Sequence, residues 1–77
     1  MIKVQVGNRI KTLRKSLNIS QEEFAYRCGM DRTYITSLEN GKRNISIVNL
    51  DRIAKVFNMA LRDFFDFNKE VEENATR

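Results

Sequence analysis

Residues 20–41, SQEEFAYRCGMDRTYITSLENG, constrain the fold of this chain more than any other stretch. They read as two short helices around a glycine turn. Ser20 can cap the free N–H groups that open the first helix, and Glu23, three residues on, has the spacing of a capping box. That helix is expected to run to about Cys28. Gly29 supplies the left-handed backbone a tight turn needs, Met30 packs under the turn, Asp31 caps the second helix, and Gly41 ends it at the left-handed C′ position. Helices joined by so short a turn cross steeply, and Ala25, small and opposite the turn, leaves room for the approach.

On a helical wheel the second of these helices puts Tyr34, Ile35 and Leu38 on one arc and Arg32, Thr33, Thr36, Ser37 and Asn40 on the other. An ordinary solvated face mixes in Asp and Glu. A face of amides, hydroxyls and one guanidinium instead suits base edges and phosphates, because a polyanion repels carboxylates. The pattern therefore reads as a helix-turn-helix that takes duplex DNA, the alternative being a structural helical hairpin. Arg32 is the expected discriminating contact, since guanidinium pairs bidentately with guanine, and Thr33, Thr36, Ser37 and Asn40 lie beside it, with Thr33 or Thr36 able to touch a thymine methyl. Phosphate contacts are expected from Gln21, at a helix N-terminus that favours an anion, and from Arg43 and Asn44 just past the reading helix, with Lys42 and Tyr34 as weaker candidates.

The rest of the chain reads as helix too, five in all with no strand. Val6, Ile10, Leu13 and Leu17 recur at spacings of four, three and four, the stripe of a helix over about 5–17. Ser46 caps a fourth helix buried through Leu50, Ile53, Ala54 and Phe57. A last short helix starts near Leu61 and turns Leu61, Phe64 and Phe65 inward, and Phe67 widens that apolar arc beyond one core contact. An apolar surplus on the terminal helix of a small domain points to a second copy of the same chain, so Leu61, Phe64, Phe65 and Phe67 are assigned to a dimer interface, Phe65 and Phe67 bearing most of the contact and Leu61 and Phe64 tying the helix to the core, the alternative being that Phe67 folds over its own core. One domain, residues 1–68, is expected, followed by a frayed acidic tail over 69–77.

Charge is uneven along the chain. Residues 1–60 hold 11 Lys/Arg against 5 Asp/Glu, and residues 61–77 hold 3 against 5. Lys3, Arg9, Lys11, Arg14 and Lys15 precede the first acidic residue, so the first helix can add positive potential beside the reading helix. Arg14 also has a second reading: it lies one residue past Leu13, and Glu39 lies beside Ile35, so the two can meet as a structural ion pair in a half-buried seam. With one cysteine and no histidine, neither a disulfide nor an ordinary zinc-finger ligand set is available, and no metal or other cofactor is expected. Cys28 reads as a packing residue. No catalytic constellation emerges, so an enzyme is not expected, nor is a small-molecule ligand. The absence of a signal peptide or a membrane-spanning apolar run makes the cytoplasm the expected location.

Ser20-Gln21-Glu22-Glu23-Phe24-Ala25, with Gly29, Ile35, Leu38, Glu39 and Gly41, resembles the phage repressor and Cro type of helix-turn-helix domain, the xenobiotic-response-element family, over roughly residues 6–66. The resemblance implies an all-α fold, a compact five-helix bundle of the lambda-repressor-like DNA-binding type, and the Arg14–Glu39 pair. Asp31-Arg32-Thr33-Tyr34-Ile35 followed by Gly41-Lys42-Arg43-Asn44-Ile45-Ser46 is similar to the controller proteins of restriction-modification systems. That similarity implies a homodimeric regulator of paired operator half-sites, activating at low occupancy and repressing at high, and leaves RNA polymerase open as a further partner. An antitoxin or prophage repressor with an added protein-binding surface, and a protein-interaction adaptor, are the competing readings. Ala60 departs from the family, which often places Ser or Thr there as a cap.

Overall fold

The computed structural model describes residues 1–68. Its five helices are α1 (Ile2–Ser16), α2 (Gln21–Cys28), α3 (Arg32–Glu39), α4 (Ile47–Val56) and α5 (Leu61–Phe64), with no strand among the described residues. The expected acidic tail lies outside them. α1 begins about one turn before the apolar stripe does, because nothing in Ile2-Lys3-Val4-Gln5 breaks a helix and the Met1 carbonyl accepts from Gln5 N at 3.0 Å. The stripe also ends early. Leu17 caps α1 and is exposed, since left-handed Asn18 (φ 61°) turns the chain away there.

Three of the links share one construction. Asn18-Ile19-Ser20, Gly29-Met30-Asp31 and Asn58-Met59-Ala60 each place a left-handed residue (φ 61°, 70° and 56°) first, an apolar residue packed on the core second, and the N-cap of the next helix third. The left-handed residue lets the chain fold back on the helix it leaves. Met30 N accordingly donates to Ala25 O at 2.9 Å and Met59 N to Ala54 O at 3.0 Å. At Gly41 (φ 73°), Lys42 N reaches Ser37 O in the same way at 3.0 Å.

The caps differ in chemistry. The hydroxyls of Ser20 and Ser46 accept from Glu23 N and Asn49 N at 3.0 and 3.1 Å. The other half of the expected capping box is spent elsewhere, because the Glu23 carboxylate accepts from Arg27 Nε at 2.9 Å one turn along α2. Asp31 has the extended N-cap backbone, yet its carboxylate takes the Thr33 hydroxyl in place of a backbone N–H. Ala60 has N-cap geometry and no side chain able to use it.

The core gathers Ile10, Phe24, Ile35, Leu38, Ile53 and Phe64, all essentially without solvent exposure, and Phe24 stacks on Phe57 with centroids 5.1 Å apart. Burying each such side chain is worth roughly 1.5–3 kcal/mol. Ala25 is buried where the two motif helices cross. Gly7 seats α1 directly on the end of α3, where a Cβ would overlap the Leu38 carbonyl oxygen and stand 3.1 Å from that of Glu39. Arg9 ties α1 to the other end of the chain, donating from Nε to Phe64 O and from Nη2 to Asp63 O, both at 2.8 Å. Among the described residues no helix is long and apolar enough to cross a membrane.

Candidate nucleic-acid interface

Packed by Ile35 and Leu38 against the core and seated on α1 at Gly7, α3 has a fixed pose. Its outward side carries Arg32, Thr33 and Asn40, exposed, and Thr36 and Ser37, half-buried. Arg32, Ser37 and Asn40 leave their side chains unpaired among the described residues, which keeps their hydrogen-bonding groups for a ligand. The helix's own acidic residue is turned away: Glu39 is 4% exposed. That burial removes the charge that would most oppose a polyanion.

Glu39 is held by a connected set of bonds. Arg14 Nε and Nη2 donate to its two carboxylate oxygens at 2.7 and 3.0 Å, and Arg14 Nη1 donates to Ile19 O at 2.8 Å. Gln21 Nε2 donates to the same carboxylate at 3.0 Å, and Gln21 Oε1 accepts from the Thr36 hydroxyl at 3.0 Å. Gln21 thus stands at the N-terminus of α2 with its amide oriented by Glu39 on one side and Thr36 on the other. The amide nitrogen has two hydrogens and only one is used by Glu39, so the second stays available for the expected phosphate contact while the oxygen is committed to Thr36. Thr33 is likewise engaged by Asp31, on the exposed surface.

The other expected phosphate contacts gather past the end of α3. Lys42, Arg43 and Asn44 are exposed, and the Arg43 guanidinium lies 4.8 Å from the centroid of the Tyr34 ring. Such stacking holds the cation over a face it would otherwise sweep. The Tyr34 hydroxyl accepts from Asn49 Nδ2 at 3.3 Å, which braces the ring against α4.

The basic face of α1 is smaller than its charge count suggests. Arg9 and Arg14 are buried and bonded inward, leaving Lys3, Lys11 and Lys15 exposed. The four residues assigned to a dimer surface divide as well. Phe64 has no exposure and belongs to the core, Leu61 and Phe67 are half-buried against it, and Phe65 is 41% exposed. The Phe65 and Phe67 rings meet edge to face with centroids 6.0 Å apart. Ile47 and Val48, 71% and 66% exposed at the start of α4, were passed over in the sequence, although two apolar residues ahead of the Leu50 stripe are more than one buried face needs.

Arg52 is the other unforeseen residue: Nη2 donates to Cys28 O at 2.9 Å and Gly29 O at 3.3 Å, closing the end of α2 at the turn. A cation there also meets the negative end of the helix dipole. Burial pushes the Cys28 thiol up to about 11, against a smaller lowering by Arg52, so it stays a neutral packing group. Among the described residues no three His, Cys, Asp or Glu side chains are grouped to hold a metal.

The helix-turn-helix family model matches residues 10–64. The control protein C.MunI of Mycoplasma sp is 48% identical over 71 residues, 90% of this chain and 96% of its own length. The crystal structure of the restriction-modification controller protein C.AhdI from Aeromonas hydrophila superposes with a TM-score of 0.77 at 36% identity, covering 82% of this chain and 96% of that one. The restriction-modification controller protein C.Esp1396I, solved as a tetramer in complex with its natural 35 base-pair operator, superposes with a TM-score of 0.78 at 33% identity, covering 86% and 87%. The chain therefore belongs to the helix-turn-helix family of DNA-binding transcriptional regulators and, within it, to the restriction-modification control proteins.

Proposed function

We propose that the chain controls a restriction-modification operon as a cytoplasmic homodimer, without catalytic activity of its own, laying two copies of α3 into successive major-groove turns of an operator. The carrying observation is the outward face of α3, with Arg32, Ser37 and Asn40 unpaired among the described residues and Glu39 buried. One such helix offers too few contacts to select a site among genomic competitors, whereas a two-fold dimer presents two about 34 Å apart. The operator-bound C.Esp1396I tetramer supports this reading.

In this model Arg32 reads a guanine, Ser37 and Asn40 read neighbouring base edges, and Arg43, Asn44, Lys42 and Tyr34 hold the backbone where it leaves the groove. The dimer closes through the exposed Phe65, with Phe67 beside it. Gel-shift titration of a duplex enriched by the protein from a random-sequence pool tests the model. Arg32→Ala is expected to lose about 1–3 kcal/mol of discrimination at one position per half-site, and Arg43→Ala to weaken all sequences and flatten the slope of log affinity against log salt. An Arg32→Ala protein as selective as wild type would exclude the proposed reading of α3.

A further inference from the structure

We propose that Thr36 reads a thymine through methyl-to-methyl contact, with Gln21 as the positioning residue that withdraws the threonine's hydroxyl hydrogen from the DNA. The inference rests on the reading of α3 as the groove-facing helix and adds to it which chemistry one of its side chains uses.

The direction of each hydrogen bond in the Glu39–Gln21–Thr36 series is fixed from its buried end. Glu39 bonded to Arg14 is an ionised carboxylate and can only accept. Gln21 must therefore turn its Nε2 toward Glu39, as it does at 3.0 Å. Its Oε1 is then the end that faces Thr36, and an amide oxygen also only accepts. The threonine hydroxyl is the one donor at that 3.0 Å contact, and its other neighbour at 3.0 Å, the Arg32 carbonyl oxygen one turn back, is an acceptor as well. A hydroxyl has a single hydrogen. Both protein oxygens around Thr36 call on it, so none is left for guanine O6 or N7, thymine O4 or a phosphate.

What Thr36 retains for the groove is its Cγ methyl and spare acceptor capacity. Of the groups on the major-groove edge, the thymine C5 methyl is the one that an aliphatic methyl complements. Thr33 resembles Thr36 in donating to an acceptor, but Asp31 and Thr33 are both exposed and free to exchange partners when a ligand arrives. The Thr36 bond is backed by a carboxylate whose side chain is 1% exposed and by an arginine at 10%. That backing makes the arrangement around Thr36 persist on binding and singles it out from its neighbour.

The probe is the duplex enriched by the wild-type protein from a random-sequence pool, remade with deoxyuridine in place of each thymine in turn, which deletes only the methyl. Wild type and Thr36→Val are expected to lose affinity about fourfold at the same thymine of each half-site, the factor expected for one buried methyl-sized group. Thr36→Ser, which keeps the hydroxyl and lacks the methyl, is expected to be indifferent to that replacement. Gln21→Ala is expected to shrink the deoxyuridine effect at that thymine, a change confined to one base pair of each half-site that loss of a phosphate contact alone would not produce. Circular dichroism on each variant identifies any loss of fold, and for a variant that unfolds the comparison is made with Thr36→Ala. The inference is overturned, with the reading of α3 intact, if wild type binds selectively but Thr36→Ser stays as sensitive to deoxyuridine as wild type. If no duplex is enriched, the reading of α3 fails and the inference with it.

Discussion

A carboxylate in the last turn of a helix opposes the helix dipole, and Glu39 occupies that place in α3 without solvent to relieve it. Arg14 makes it tenable by a two-pronged contact, with Gln21 taking up one of the same oxygens. Removing one charge from such a pair strands the other, at a cost of about 3–5 kcal/mol when burial is nearly complete. Glu39→Gln is expected to lower the melting temperature by more than about 10 °C, since each kcal/mol shifts a domain of this size by roughly 4–8 °C. A melting curve superimposable on wild type would show that the pair contributes nothing. Arg14 and Glu39 were legible in the sequence because each sits beside a residue of an apolar stripe. Arg9 was not, since its acceptors are backbone carbonyls 54 and 55 residues away, and no side-chain pattern marks a carbonyl. Gln21 illustrates a third case: its position at a helix start was legible, but its partners depend on how α2 crosses α3.

At the scale of the elements, helix packing turns on positions where the chain has little or no side chain. Gly7 lies inside α1, where alanine would ordinarily favour the helix by about 1 kcal/mol. Here the added Cβ would meet backbone atoms of Leu38 and Glu39, which cannot swing aside. Overpacking of this kind costs typically 1–3 kcal/mol, and the immovable partner puts Gly7 at the upper end. Gly7→Ala is therefore expected to be destabilised in urea despite its better helix propensity; an equal or raised midpoint would mean that α1 does not rest on α3. Ala60 is the opposite case. It has the extended N-cap backbone (φ −71°, ψ 153°), is exposed, and makes no side-chain cap bond. Ala60→Ser is expected to stabilise the domain by about 0.5–2 kcal/mol, and a denaturation midpoint no higher than wild type would show that α5 does not need the cap. The two motif helices were readable from the sequence because caps and glycines punctuate them. The early start of α1 was not, because apolar periodicity marks a buried face and says nothing of a turn that protrudes past it.

For the whole molecule, the proposed operator symmetry makes association and DNA binding one problem. The described domain buries Phe64 entirely while leaving Phe65 partly and Ile47 and Val48 largely exposed, so its C-terminal apolar residues divide between core and surface within a few positions. The sequence expected Leu61 and Phe64 on the core and Phe65 and Phe67 on the contact; it could not establish that Phe67 is half-buried against the core, because α5 is a single turn and a one-turn helix has no periodicity to read. That division gives the dimer a clean test. Phe65→Asp changes a side chain 41% exposed and is expected to keep the fold, as measured by circular dichroism. In sedimentation at tens of micromolar, where an interface with a dissociation constant near 1 μM is mostly associated, the wild type is expected to run as a dimer and Phe65→Asp as a monomer. The variant should also lose selective duplex binding far beyond what one surface charge explains, because each monomer keeps α3 intact but loses the second reading helix. A wild-type monomer at that concentration would refute the dimer; a Phe65→Asp protein that remained dimeric would place the two-fold axis on another face and require a different spacing of half-sites.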